Sequence, residues 1–158
     1  MKAVLLALMA LWPYIPASAQ VQPMQPNLDG DYLPDPTQET PLSEAELEAA
    51  FSGMTHRGTY NFRRPNIDTF AFEETTNADG RTVHRHGDKV DTGTWRIMAN
   101  VICFNYENWD GGTHLACFNI YRRGNCYYHF GLSSGQGGSF TARSVHAGET
   151  PECEPPMS

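Results

Sequence analysis

From Gly58 onward turn residues cut the chain into short stretches, and this punctuation limits what it can fold into. The stretches are 59–62, 67–76, 82–86, 93–97, 101–106, 114–121, 126–132 and 139–145. Between them stand Asn77-Ala78-Asp79-Gly80, Gly87-Asp88, Asp110-Gly111-Gly112 and Gly124-Asn125, residues that adopt turn conformations at little steric cost. Within the stretches apolar residues alternate with polar ones. Phe70 and Phe72 share a face, as do Trp95 and Ile97, and Ile102, Phe104 and Tyr106 oppose Val101 and Cys103. The pattern predicts a mainly β fold made of one antiparallel meander. Its form is either a small barrel of lipocalin-like architecture or a strongly curved sheet.

One helix precedes the strands. Ser43 and Glu46 have the spacing of a capping box, Leu42 and Leu47 that of a hydrophobic staple. Leu47, Ala50, Phe51 and Met54 follow at i, i+3, i+4 and i+7, and Gly53 can end the helix in a left-handed conformation. A helix over about 43–52 is too short to persist alone, so its apolar stripe must cover one end of the sheet or barrel.

The first nineteen residues read as a secretory signal peptide: Lys2, an apolar run from Ala3 to Trp12, and Ala17-Ser18-Ala19 before Gln20. Pro13 and Pro16 interrupt the run well short of the roughly 20 residues a spanning helix needs. The organisation expected is therefore a signal over 1–19, a flexible Pro-rich linker over 20–42, a β-rich domain over 43–150 and a tail over 151–158. The localisation implied is periplasmic or secreted.

Export fixes the reading of the four cysteines, Cys103, Cys117, Cys126 and Cys153. An even number in an oxidising compartment signals disulfides, and zinc would ask for closely spaced pairs that are missing here. A turn near Asp110-Gly111 puts Cys103 close to cross-strand register with Cys117, whereas Cys117 and Cys126 fall out of register. The favoured pairing of the three possible is Cys103–Cys117 with Cys126–Cys153, the second pinning the tail to the domain.

Several of these features occur in order: a Leu-Ser helix start, Gly-Thr-Tyr at 58–60, Asp-Gly at 79–80, Gly-Thr-Trp at 93–95, and Cys103 and Cys117 flanking a turn. Over about residues 42–131 the chain resembles a family of small exported bacterial proteins whose domain has no assigned function. The resemblance implies a single β-rich domain and transfers no catalytic residue.

Charge narrows the function. The whole chain carries a formal charge of −7, which argues against nucleic acid or anionic membrane as a partner, because both are bound through clustered Lys and Arg. Nucleophilic catalysis finds no support: the serines at 133, 134 and 139 lie in a Gly-rich loop, and the adjacent Glu73 and Glu74 must point to opposite faces of a strand. No catalytic residue is assigned and an enzyme is not the expectation.

Two features remain. His84 and His86 face the same way on a strand and could share a divalent transition metal, with Asp88, His114 or His129 as a third ligand. Against this stands the reading of two solvent-facing histidines on a polar edge strand. Trp109, at a hairpin tip, is either a contact for a partner or a lid folded back on the domain. The aromatic side chains fill the interior or line a cavity. The function expected is an exported, non-enzymatic binding module for a small ligand or a protein partner. The alternative is a metal-binding protein or metal-dependent enzyme using His84 and His86.

Protein recovered from the periplasm is expected to begin at Gln20 and, denatured, to be lighter than its reduced form by two hydrogens per disulfide. Intact-mass spectrometry checks both, and a mass that retains residues 1–19 refutes the cleavage.

Overall fold

The computed structural model describes residues 33–36, 38–62, 64–132 and 139–153. The proposed signal peptide, the linker up to residue 32, the loop 133–138 and residues 154–158 lie outside them. The helix α1 (Glu44–Phe51) is followed by eight strands: β1 (Met54–Tyr60), β2 (Ala71–Thr76), β3 (Arg81–His86), β4 (Lys89–Met98), β5 (Val101–Trp109), β6 (Gly112–Arg123), β7 (Cys126–Gly131) and β8 (Ser139–His146). Each strand pairs antiparallel with the next, and β8 returns to β1, giving a closed barrel. Closure leaves no free edge for another strand to join. Of the two forms anticipated, barrel and curved sheet, the chain forms the barrel.

Helix α1 starts where the sequence places it. The Glu46 carboxylate accepts hydrogen bonds from the backbone N–H of Ser43 at 2.8 Å and from its hydroxyl at 2.6 Å. Leu47, Ala50 and Phe51 are buried and pack with Trp95, Ile102, Phe104, Ile120 and Tyr127, so the helix stoppers the barrel end where β1 begins. Two local expectations are corrected. Met54 does not extend the helical stripe: Gly53, at φ 72°, ends the helix, and Met54 opens β1 half exposed. Phe70 does not share the inner face with Phe72, because β2 starts only at Ala71 and leaves Phe70 outside the barrel.

At two places the barrel wall has room for no side chain. A Cβ on Gly58 would stand 2.3 Å from the Arg143 carbonyl oxygen and 2.6 Å from the Phe72 ring. One on Gly93 would stand 2.1 Å from the Asn105 carbonyl oxygen. In both cases the obstacle includes the backbone of the neighbouring strand, which cannot turn aside as a flexible side chain would.

Both disulfides form as expected. Cys103 lies directly opposite Cys117 across the β5–β6 hairpin, with Cα atoms 4.1 Å apart. Cys126–Cys153 ties the C-terminal segment to the start of β7. With Leu33, this segment covers the cluster Tyr121, Tyr128, Phe130 and Val145 on the outer face of β6–β8. The segment read as a free linker is therefore docked from Leu33 onward. Glu39 pairs with Arg123, and the Leu42 N–H donates to the Ile120 carbonyl at 2.7 Å.

Gly93→Ala is expected to destabilise the fold by about 1–3 kcal/mol, the usual cost of forcing extra volume into a packed site. Replacing Cys103 and Cys117 together by Ser is expected to cost about 3 kcal/mol through the freed loop. Urea denaturation of each variant beside the parent reads both values.

Candidate functional site

Side chains that point into a barrel alternate along every strand, and here many of them are polar. His56, Glu74, Thr76, Thr82, His84, His86, Asp91, His129 and Ser144 are all buried. Each needs a partner, since an unpaired buried polar group costs about 1–3 kcal/mol. The partners divide them into two networks and a latch.

The lower network caps the helix. The last carbonyls of an α-helix lack partners within it, and those of α1 point into the barrel. The Ala50 carbonyl accepts from His56 Nε2 at 3.0 Å and from His146 Nε2 at 2.9 Å, and the Phe51 carbonyl accepts from the Thr76 hydroxyl. Since His56 Nε2 must donate, its Nδ1 in the neutral ring accepts from the Ser144 hydroxyl at 3.1 Å. Ser144 in turn accepts from His129 Nε2 at 2.8 Å. Phe51 stacks flat on His56, ring centroids 4.3 Å apart. Burial pushes the His56 imidazole down to about 4 and that of His129 to about 3, with the neighbouring imidazoles acting in the same direction.

The upper network is built on Glu74. Its carboxylate accepts from His84 Nδ1 at 2.7 Å, from the Tyr106 hydroxyl at 2.6 Å and from the Thr82 hydroxyl. Burial first, and the Glu74 charge second, hold the Tyr106 phenol well above its ordinary value, so it remains a donor. His86 turns Nε2 to the Thr69 carbonyl at 2.8 Å, and burial lowers its pKa. His84 Nε2 and His86 Nδ1 are buried and have no hydrogen-bond partner among the described residues.

The latch closes part of the mouth. Arg64, from the β1–β2 connection, reaches Asp91 with Nη1 and Nη2 at 2.5 and 3.2 Å and Asp110 with Nε at 3.1 Å. Its guanidinium lies 3.8 Å over the Trp109 ring. Burial opposes the Arg64 charge, but the bonds to Asp91 and Asp110 prevail and raise its pKa. Lys89, 2.5 Å from Asp110, and then Arg64 hold the Asp110 carboxyl below its usual range.

Trp109, at the hairpin tip, packs back against the domain. Its ring turns inward, 5.2 Å from His84, 5.1 Å from Tyr106 and 5.2 Å from His114. Beside it the mouth opens into a cavity of about 210 Å³ lined by Tyr60, Phe62, Tyr106, Leu115, Ala116 and Phe118 among others. Tyr60, Tyr106 and Phe118 form its floor, and a void of about 20 Å³ beneath them reaches Phe51, His56 and His129.

His84 and His86 do face the same way, but the solvent-facing edge-strand reading is corrected. Strand β3 is paired on both sides, and both side chains have 0% exposure. The third ligands considered for a metal lie elsewhere: Asp88 in an exposed turn, His114 stacked on Trp109, His129 bonded to Ser144. Among the described residues no group of three or more His, Cys, Asp and Glu is arranged to hold a metal ion. Glu74, Arg64 and Asp91 were not candidates from sequence. Glu74 had a usable signal, because the turn at 77–80 sets it directly opposite His84.

The chain matches no family model, no curated protein and no solved structure. Among the described residues no helix is long and apolar enough to cross a membrane.

The lowered pKa values of His56 and His129 make stability depend on pH. In the unfolded chain both would take a proton near 6.5, whereas the fold keeps them neutral down to about 4 and about 3. Between those limits the unfolded state binds more protons, so stability falls as pH is lowered through this window. The urea midpoint is expected to decline steadily from pH 7 to about 5.5, above the range where most carboxylates titrate. A midpoint flat over that range refutes the assignment.

Proposed function

We propose that this is an exported, non-enzymatic binding barrel that takes a small, largely apolar ligand of one or two aromatic rings at its mouth. The observation that carries the reading is the cavity of about 210 Å³ between Tyr60, Phe62, Tyr106, Trp109, Leu115 and Phe118. Its size fits the ligand class, since an apolar cavity of roughly 150 Å³ admits benzene. Its walls fit too: small-molecule sites are mostly aromatic and apolar, with a few placed polar groups. Here the polar groups are the His114 ring and the Thr141 side chain on the cavity wall. Rings stacked or set edge to face against such walls add about 0.5–1.5 kcal/mol per pair beyond burial.

Export to the periplasm or beyond is part of the proposal, supported by the signal pattern over 1–19 and the two disulfides. It accords with the small exported family that the motifs between 42 and 131 resemble.

Titration with 2-naphthol, followed by tryptophan fluorescence and calorimetry, is expected to show one saturable site per chain. Ala116→Phe, which places a ring in the cavity, is expected to weaken binding at least tenfold while the urea midpoint stays within the range of the parent. Absence of saturable binding by the parent, or equal binding by the variant, overturns the reading.

A further inference from the structure

We propose that His84 and His86 form a buried, two-nitrogen site for a single copper(I) ion, separate from the apolar cavity at the mouth. The two polar networks use their histidines differently. In the lower one, His56 bonds through both ring nitrogens, His146 bonds the Ala50 carbonyl and His129 bonds Ser144, so all three belong to the network that caps the helix. In the upper one, His84 and His86 are fully buried, and each has one nitrogen bonded and the other without a partner among the described residues. Leaving a buried nitrogen unpaired is costly, and among the described residues this barrel does so at two positions on one strand face.

The bonded nitrogens point to the occupant. His84 Nδ1 donates to the Glu74 carboxylate, and His86 Nε2 donates to the Thr69 carbonyl. Metal-binding histidines characteristically bond the ring nitrogen that does not ligate to a carboxylate or a backbone carbonyl, which fixes the tautomer and leaves the other nitrogen as a lone-pair donor. Both residues meet that condition, one with each kind of partner. Their ring centroids are 6.2 Å apart.

The number of donors selects the ion. Zinc sites ask for at least three protein ligands, and among the described residues no third His, Cys, Asp or Glu joins this pair. Copper(I) is satisfied by two nitrogens, and imidazole suits copper. A single positive charge also loses less hydration on burial than a double one. The rings of Tyr60, Phe72, Tyr106 and Trp109 surround His84 at 5.2–5.9 Å, an environment that shields a reduced ion from water and tolerates a cation.

The test uses the full mature chain and copper(I) kept reduced with ascorbate, in competition with bicinchoninate. The expected result is one ion per chain and an X-ray absorption spectrum with two nitrogen scatterers and no sulfur. His84→Gln and His86→Gln are each expected to weaken binding at least a hundredfold. Glu74→Gln, which keeps the shape of the side chain but removes the charge that His84 donates to, is expected to weaken it ten- to a hundredfold. Should a variant fail to fold, the spectrum of the parent still decides. Sulfur scatterers, a stoichiometry other than one, or folded histidine variants that bind like the parent overturn the proposal. Titration with 2-naphthol in the same samples keeps its failure distinct from that of the mouth cavity.

Discussion

The interior of this barrel is organised around one buried carboxylate. Glu74, on β2, accepts hydrogen bonds from β3 through Thr82 and His84 and from β5 through Tyr106. A carboxylate withdrawn from water is tolerable only when donors replace its hydration, and these three come from two strands that converge on it. The Tyr106 bond crosses the lumen, because β2 and β5 are not neighbours in the sheet. Glu74 therefore fixes the tautomer of His84 and the position of the Tyr106 ring that floors the mouth cavity. Tyr60 and Trp109 pack around the same histidine.

A second constraint comes from the helix. An eight-residue helix cannot persist on its own, and its C-terminal carbonyls face the lumen instead of water. His56, His146 and Thr76 answer those carbonyls, and Phe51 lies flat on the imidazole that does so. The stopper is thus held by polar bonds as well as by the burial of Leu47, Ala50 and Phe51. Neutral histidine suits this place because one ring supplies both a donor and an acceptor. The chain Ala50–His56–Ser144–His129 uses both.

Much of the fold was legible because short-range chemistry determines it. Capping residues located α1, turn dipeptides located the hairpins, and the Asp110-Gly111 turn set the register that joins Cys103 to Cys117. Closure was not legible in the same way, since the pairing of β8 with β1 links residues far apart in sequence and leaves no local mark. Pairing with β2 and β4 makes β3 an internal strand, and closure turns its inner face into the lumen, where His84 and His86 are completely buried. Arg64 was illegible for a similar reason, because a loop residue enters the lumen only when Asp91 and Asp110 are there to receive it.

The latch formed by Arg64 covers one side of the mouth. Arg64 ties the β1–β2 connection to β4 and to the β5–β6 turn, and it lies across Trp109. Opening that side would break the bonds of Arg64 to Asp91 and Asp110 and lift its guanidinium off Trp109, so these contacts favour the closed arrangement over His84 and His86. The wall left free runs from Tyr60 and Phe62 across β6 to Gly131 and Thr141, and its lining is aromatic and apolar. One end of the barrel thereby offers two separate environments: an open apolar recess against β6, and a sealed histidine pair behind Trp109 on β3. Because the Trp109 ring contacts both His84 and His114, any movement of that ring to admit an ion to the sealed side would also reshape the recess beside it.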